Sequence, residues 1–339
     1  MDDIIEVLIT SSLTLDQIAQ IQKISPRLHI SQIATHNNSD IPDEVWAKTM
    51  VLYTTNVLPK PEQAPRLRWI QFHWAGINSL LSAPILQNPG IMATTISGAA
   101  STQVAEYIVM MMLALGHRLP ELISCQARAE WPADRWERFH PIELRDSTVG
   151  IVGYGSIGRQ VAYLLQPFGA TILAAKRDAM QPEDTGYMPV GMGDPSGNLA
   201  RRIYPGKALR AMLKECDFIV VCVPKTSQTI NLINEQELAV VKPTAFLIDV
   251  SRGGVVNHKA LMAAIREHKI AGAALDVFEE EPLPADSPLW KLPGVFITPH
   301  IASNTYFYNE RALQVFISNM NRFITGEPLL NLLNFSAGY

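Results

Sequence analysis

TVGIVGYGSIGRQVAYLLQPFGATILAAKRD, residues 148–178, contains the pattern that decides the fold of this chain. The apolar run TVGIV predicts a buried strand, and glycines at the spacing G-x-G-x-x-G follow it directly, at Gly153, Gly155 and Gly158. An amphipathic segment and a second apolar run, ATILAA, come next. A strand, a glycine turn, a helix and a second strand in this order are typical of a unit that binds a dinucleotide through its pyrophosphate.

The end of the second strand departs from the pattern that is usual for NAD. An acid commonly lies there, about twenty residues after the glycines, and accepts hydrogen bonds from the adenosine ribose. This chain has Lys176 and Arg177 instead, and such cations attract the 2′-phosphate that distinguishes NADP from NAD. The pattern therefore favours NADP(H). NAD(H) stays open as the alternative, because Asp178 follows directly and could still reach the ribose.

Short apolar runs alternate with helix-like segments on both sides of this unit. The predicted strands are residues 4–10, 28–33, 50–54, 67–72 and 90–95, then 148–152, 170–175, 217–223, 245–250, 271–277 and 295–298. Strands that alternate with helices predict parallel sheets covered on both faces. We therefore expect an α/β chain of two domains. Residues 101–300 would form a Rossmann-type doubly wound cofactor domain, and residues 1–100 with 301–339 a flavodoxin-like substrate domain.

Several helices and one loop can also be placed from the pattern. Thr14 is the predicted N-cap of a helix whose apolar face is formed by Leu15, Ile18, Ile21 and Ile24. A long apolar helix is predicted from Ser101 to His117, capped by Ser101 or Thr102, and a last helix over residues 305–324. Residues 179–205 are rich in Gly, Pro and Asp and predict a surface loop.

Composition excludes several classes of protein. The formal net charge is -4 without a block of like charge, which argues against nucleic-acid binding. The three cysteines are scattered, so neither a disulfide framework nor a zinc site is expected, and His117 and His140 lack metal-ligand spacing. The N-terminus lacks the features of a signal peptide, and the longest apolar run, residues 108–115, is too short to cross a membrane. We expect a cytoplasmic protein without a bound metal.

Candidate reactive residues follow three of the predicted strands. Arg252 lies in DVSRGGVV (249–256), Asp276 and Glu281 lie in AALDVFEEEPLP (273–284), and His300 lies in VFITPHIA (295–302). Ligands of doubly wound sheets bind outside the carboxyl ends of the strands. The three stretches are therefore expected to contribute to one site.

With these motifs the chain resembles the D-isomer-specific 2-hydroxyacid dehydrogenase family over nearly its full length. The resemblance rests on the glycine unit and, in order, on RWIQFHWAGIN (68–78), STQVAEYIV (101–109), CVPKTSQT (222–229), SRGG, LDVFEEEPLP, TPHIA and GEPLLN. It implies that Arg252, Glu281 and His300 are catalytic and that Asp276 binds the nicotinamide carboxamide. It also implies that the substrate carboxylate meets backbone N–H groups near Ala75, Gly76 and Ile77, and that the enzyme is a homodimer.

These roles are chemically coherent. Reduction of a 2-oxo acid needs a hydride at the carbonyl carbon, which the cofactor supplies, and a proton at the carbonyl oxygen. A protonated His300 can give that proton, and the carboxylate of Glu281 would stabilise the charged imidazole. Arg252 can bind a planar carboxylate or polarise the carbonyl group. The predicted cofactor-binding residues are Gly153, Gly155, Ser156, Ile157, Gly158, Lys176, Arg177, Pro224 and Asp276.

The predicted function is thus reduction of a small 2-oxo acid, such as glyoxylate or hydroxypyruvate, to its D-2-hydroxy acid. The cofactor is NADP(H), with NAD(H) as the alternative. Two rival functions stay open: a dinucleotide-sensing binding protein on the same fold, and an NAD-dependent phosphoglycerate-type dehydrogenase. The second rival needs cations that face the substrate, and residues 73–78 contain neither Lys nor Arg. For His73 and Trp74, a place in the pocket and a place in the protein core are equally open.

Overall fold

A computed structural model describes residues 4–334, and it divides into two compact units. The first unit comprises residues 4–99, 185–187 and 306–334, and the second comprises residues 100–184 and 188–305. The boundaries of the units therefore fall at 99/100 and 305/306, where we expected changes of domain at 100/101 and 300/301. Residues 185–187 belong to the first unit although the sequence around them lies in the second.

The first unit is built on a five-stranded parallel sheet. Its strands are β1 (Ile5–Ile9), β2 (Leu28–Gln32), β3 (Val51–Thr54), β4 (Trp69–Phe72) and β5 (Met92–Thr94). The strand order β2-β1-β3-β4-β5 is the flavodoxin-like order, and every strand pair is parallel. β3 and β4 are buried along their full length, because helices cover both faces of the sheet.

The helices of the first unit are α1 (Leu15–Gln22), α2 (Asp43–Lys48) and the last helix of the chain, which runs from Tyr308 to Thr325. Thr14 caps α1 as predicted, in a capping box with Gln17. The predicted apolar face is only partly correct: Ile21 is fully buried, whereas Leu15 is 90% exposed because it lies in the first turn. The last helix begins three residues later than predicted and buries Phe316 and Met320 against the sheet.

The second unit is built on a seven-stranded parallel sheet. Its strands are β6 (Thr148–Val152), β7 (Thr171–Lys176), β8 (Arg202–Pro205), β9 (Phe218–Val221), β10 (Phe246–Asp249), β11 (Gly272–Leu275) and β12 (Val295–Ile297). The order β12-β11-β10-β9-β6-β7-β8 is the doubly wound order extended by one strand. β8 corrects the prediction of a loop over residues 179–205. It is an edge strand with an exposed Arg202, so it lacks the apolar run of a central strand.

Side chains alternate between two cores on the faces of this sheet. In β7, Leu173 and Ala175 enter one core, while Ile172 and Ala174 enter the other. The flanking helices are α3 (Ser101–Gly116), α4 (Leu119–Ala127), α5 (Arg135–Arg138), α6 (Ser156–Leu165), α7 (Leu209–Leu213), α8 (Glu235–Leu238) and α9 (His258–Arg266). The last helix of the chain is therefore α10 (Tyr308–Thr325).

The long helix α3 has the predicted length but not the predicted cap. Its N-cap residue is Ala100, with no side-chain hydrogen bond, and Ser101 is the first residue inside the helix, buried with the core. Ser101 is therefore not the N-cap of α3, and the predicted cap is wrong. Among the described residues no single helix has the length and apolar composition to span a membrane.

Candidate active site

The glycine turn between β6 and α6 has the geometry that a dinucleotide requires. Gly153 has φ +108°, a backbone conformation that side chains rarely adopt. A Cβ on Gly158 would lie 2.3 Å from the carbonyl oxygen of Gly153, so only glycine lets α6 pack this closely. No described atom lies within 4 Å of a Cβ built on Gly155, so the backbone there is open to a ligand. Since α6 begins at Ser156, we expect its first N–H groups, including that of Ile157, to meet a pyrophosphate.

The two cations at the end of β7 have different surroundings. The ammonium group of Lys176 donates hydrogen bonds to the carbonyl oxygens of Gln181 and Glu183, in the segment that follows. Partial burial, and next the charge of Arg159, lower the pKa of Lys176. Arg177 is exposed. Lys176 thus supports the backbone of residues 181–183, a contact that charge patterning in the sequence could not indicate.

Residues 179–201 are anchored on the glycine turn rather than extended into solvent. Tyr154, inside the turn, donates a hydrogen bond of 2.6 Å to the carboxylate of Asp194. Arg159 on α6 is fully buried, donates to the carbonyl oxygens of Pro182 and Asp194, and lies 3.2 Å from Asp184 Oδ2. A buried guanidinium needs such partners to offset its desolvation. Residues 179–184 and 188–201 are therefore packed into the second unit.

His300 and Glu281 form a hydrogen-bonded pair in the second unit. The imidazole Nδ1 of His300 lies 2.7 Å from Oε2 of Glu281. Because a carboxylate only accepts, Nδ1 carries the proton of this bond, and Nε2 is the nitrogen at which a further proton can be held or released. The side chains of His300 and Glu281 are 41% and 36% exposed, so a substrate can reach them.

Glu281 is held in its ionised form. Burial raises its pKa, but the hydrogen bond from His300, the N–H of Phe278 at 2.9 Å and the charges of His300 and Arg252 together lower the pKa below its ordinary value. Glu281 therefore stays a carboxylate through the neutral range. Arg252, half-buried, donates to the carbonyl oxygen of Ser251 through Nη1. The predicted cation and the predicted imidazole thus both act electrostatically on the predicted anion, within a single unit.

Asp276 is 1% exposed and is engaged by the protein through both carboxylate oxygens. Oδ1 accepts from Thr298 Oγ1 at 2.6 Å and from the N–H of Ile301 at 2.9 Å, and Oδ2 accepts from the N–H of Ala302 at 2.9 Å. The donors of these bonds lie on both sides of His300 in the sequence. Oδ2 can accept one further hydrogen bond. Contact between Asp276 and a nicotinamide carboxamide stays a prediction.

Asp249, at the end of β10, is a buried carboxyl group that the sequence analysis did not single out. Burial, reinforced by the charge of Asp276 and opposed by hydrogen bonds from Ser251, raises its pKa to about 7. Oδ1 accepts from both the N–H and the hydroxyl of Ser251, which fixes the turn that leads to Arg252. Oδ2 has no hydrogen-bond partner among residues 4–334. The carbonyl oxygen of Pro224, another predicted cofactor-binding residue, accepts from Thr229 Oγ1 at 2.6 Å.

The predicted carboxylate-binding residues lie in the first unit, directly after β4. Ala75 and Gly76 are exposed and Ile77 is buried. Within the described part of the chain no acceptor is recorded for their three N–H groups. Backbone N–H groups of a loop that have no acceptor within the protein suit an anion such as a carboxylate.

His73 lies inside an aromatic cluster behind this loop. It is 8% exposed, its Nδ1 lies 2.5 Å from the hydroxyl of Tyr53, and the rings of Trp74 and Tyr308 contact it edge-on. Burial lowers the pKa of His73 more than the hydrogen bond to Asn309 raises it, so the ring is neutral at physiological pH. Of the two places left open, the structure puts His73 in the protein core, whereas Trp74 is 45% exposed beside the loop.

No group of three or more His, Cys, Asp or Glu side chains in residues 4–334 is arranged to hold a metal ion. All three cysteines are unpaired thiols, and burial raises the pKa of Cys216 and of Cys222 to about 12.

Similarity to known proteins identifies the family of this chain. Residues 109–302 match the family model described as "D-isomer specific 2-hydroxyacid dehydrogenase, NAD binding domain". A glyoxylate reductase of Thermococcus gammatolerans is 33% identical over 278 residues, which are 80% of this chain and 78% of that protein.

Two solved structures match almost the whole chain. A D-isomer-specific 2-hydroxyacid dehydrogenase family protein from Aeromonas salmonicida is 30% identical, with a TM-score of 0.73, and the match covers 98% of this chain and 99% of that one. A D-isomer-specific 2-hydroxyacid dehydrogenase from Xanthobacter autotrophicus, solved with NADPH and MES, is 26% identical, with a TM-score of 0.79 and the same coverage.

The doubly wound sheet, the glycine turn and the histidine–glutamate pair define an NAD(P)-dependent oxidoreductase. The chain belongs to the D-isomer-specific 2-hydroxyacid dehydrogenase family, which confirms the resemblance and the fold class inferred from the motifs.

Proposed function

We propose that this enzyme reduces a small 2-oxo acid, with glyoxylate and hydroxypyruvate as the first candidates, and that it prefers NADPH. The observation that carries the proposal is the 2.7 Å bond between His300 Nδ1 and the carboxylate of Glu281, beside the charge of Arg252. In this proposal the Nε2–H of the protonated imidazole is the group that gives its proton to the carbonyl oxygen, and a bound NADPH would supply the hydride. In the reverse direction the neutral imidazole accepts the hydroxyl proton.

The other site residues have supporting roles in this proposal. Arg252 polarises the carbonyl or binds the carboxylate of the substrate. The N–H groups of Ala75, Gly76 and Ile77 bind the carboxylate. The glycine turn with Ser156 and Ile157 binds the pyrophosphate, Asp276 contacts the nicotinamide carboxamide, and Arg177 contacts the 2′-phosphate. Pro224 is a further contact of the cofactor. The similar Thermococcus protein is named a glyoxylate reductase, and the similar Xanthobacter structure contains NADPH, which supports both parts of the proposal.

A steady-state screen of 2-oxo acids against both reduced cofactors tests the function. We expect kcat/KM to be at least about tenfold larger with NADPH than with NADH, and largest for glyoxylate or hydroxypyruvate, because one charge-assisted contact contributes ~1.5–3 kcal/mol. Absorbance loss at the nicotinamide band gives the rate, and quenching of tryptophan fluorescence gives cofactor binding. Cofactor binding without turnover of any 2-oxo acid would favour the dinucleotide-sensing alternative instead.

We also propose a cytoplasmic homodimer. The second unit exposes an apolar stripe on α4, formed by Leu119, Leu122 and Ile123 at helical spacing, with side chains 39–49% exposed. Such a stripe is costly in water and suits an interface.

Sedimentation equilibrium should therefore give twice the 37.5 kDa mass of the chain. The double variant L122D/I123D is expected to sediment as a monomer, since two carboxylates would be buried in the interface. Leu15→Asp, at a side chain 90% exposed in the first unit, is the matched control and should stay dimeric. A parent protein of single-chain mass, or a double variant that remains dimeric, would contradict the proposed interface.

A further inference from the structure

The turn that carries His300 is held by one carboxylate on both sides of the histidine. Asp276 accepts the hydroxyl of Thr298, two residues before His300, and the N–H groups of Ile301 and Ala302, directly after it. Three bonds to one buried charged acceptor are strong individually and restrict the turn jointly. His300 also closes the turn itself, since its N–H donates to the carbonyl oxygen of Thr298 at 3.0 Å.

A further residue extends this arrangement into the core. The hydroxyl of Tyr107, on α3, lies 2.6 Å from Thr298 Oγ1. Since the single hydroxyl hydrogen of Thr298 is given to Asp276, its oxygen accepts from Tyr107, and the donors run in one direction from Tyr107 to Thr298 to Asp276. Tyr107 is 6% exposed, and burial raises the pKa of its hydroxyl to about 12, so it stays a donor at any working pH.

The backbone conformation of His300 explains why the turn needs the hydrogen bonds that Asp276 accepts. His300 has φ +53°, the left-handed conformation that a residue with a side chain adopts only at a cost. Without restraint, the turn would relax to ordinary dihedrals and carry the imidazole away from Glu281. A displacement of about 1 Å at a reacting group lowers turnover by as much as about 10²-fold.

We propose that Tyr107 and Thr298 are positioning residues that, through Asp276, hold His300 in the orientation in which its Nε2 transfers the proton. They touch neither substrate nor cofactor in this scheme. The inference rests on the proposed role of His300 and adds Thr298, two residues before it, and Tyr107, which lies 191 positions from Thr298 in sequence.

Thr298→Val tests the proposal, because it removes the hydroxyl at nearly constant volume. It thereby breaks the hydrogen bonds of Thr298 with Tyr107 and with Asp276. We expect kcat to fall about tenfold or more, while the KM for the 2-oxo acid and the Kd for NADPH, from tryptophan quenching, change less than about threefold. Thr298→Ser keeps the hydroxyl and should recover most of the turnover. Tyr107→Phe should lower kcat several-fold, and Y107F/T298V should be no slower than T298V, since both changes break one chain of bonds.

The solvent deuterium isotope effect on kcat separates positioning from a general loss of stability. It should rise in T298V, because proton transfer then limits the rate more strongly. Tyr204→Phe is the matched control: it removes another buried tyrosine hydroxyl of the same unit, bonded to Glu215 at 2.8 Å, and should leave both kcat and the isotope effect as in the parent.

The possible results distinguish the positioning role of Tyr107 and Thr298 from the proposed function of the enzyme. T298V with parental kcat, or T298V and T298S equally impaired, or an unchanged isotope effect in a slow T298V, would each overturn the positioning role. Absence of turnover in the parent protein would instead remove the proposed function and leave the contacts as structural.

Discussion

His300→Gln is expected to lower kcat by a factor of about 10²–10⁴, the contribution typical of a general acid, while the Kd for NADPH stays within about threefold of the parent. Glutamine can still donate a hydrogen bond, yet its amide cannot release a proton to the carbonyl oxygen of the substrate. The loss should therefore lie in the chemical step. Single-turnover rates with preformed enzyme–NADPH complex measure that step directly.

The chain offers a close control for this variant. His268, at the end of α9, also has a left-handed backbone, with φ +55°, and lies exposed in the same unit. His268→Gln makes the same chemical change under the same backbone conformation, so any shared loss of stability appears in both variants. If H300Q turned over about as fast as H268Q, His300 would have no part in the reaction. Its hydrogen bond with Glu281 would then be an ordinary surface contact.

Local patterns in the sequence were sufficient for the elements that bind and orient a cofactor. The turn at Gly153, Gly155 and Gly158 depends on residues within six positions of one another, and Gly153 by its positive φ and Gly158 by its close packing have distinct steric reasons to be there. The capping box at Thr14 and Gln17 is equally local. Such features need no knowledge of the rest of the chain, which is why they could be predicted.

Edge elements were harder to predict because their burial is incomplete. β8 has four residues, of which Tyr204 is the only buried one, and Arg202 is exposed. Neither alternation nor an apolar run marks such a strand, and the surrounding glycines and prolines indicate a loop. Pairing with β7, rather than composition, makes this segment a strand.

Long-range side-chain contacts could not be predicted at all from the pattern. Tyr107 lies in STQVAEYIV and Thr298 in TPHIA, two motifs that carried the family resemblance, yet nothing in either motif indicates that their hydroxyls meet. Lys176 is a second case. Its place suggested a phosphate ligand, whereas its contacts with the carbonyl oxygens of Gln181 and Glu183 depend on how the following segment folds back.

That difference between neighbouring cations leads to the second prediction of large effect. Arg177→Asp is expected to lower the ratio of kcat/KM with NADPH to kcat/KM with NADH by about 10²-fold, because a contact with the 2′-phosphate is lost and a repulsion is introduced. The new carboxylate can in addition accept hydrogen bonds from the ribose hydroxyls, so activity with NADH should hold or rise. Steady-state rates with each cofactor at saturating 2-oxo acid give the ratio.

Lys176→Met separates a phosphate ligand from a support of the fold. Lys176 holds the backbone of residues 181–183, next to the segment that Arg159 and Tyr154 anchor on the glycine turn. Its loss should therefore weaken both cofactors together and lower the melting temperature, with the NADPH to NADH ratio changed less than about threefold. If K176M shifts the ratio as strongly as R177D, both cations contact the phosphate; if the parent uses both cofactors equally, charge at the end of β7 does not select the cofactor.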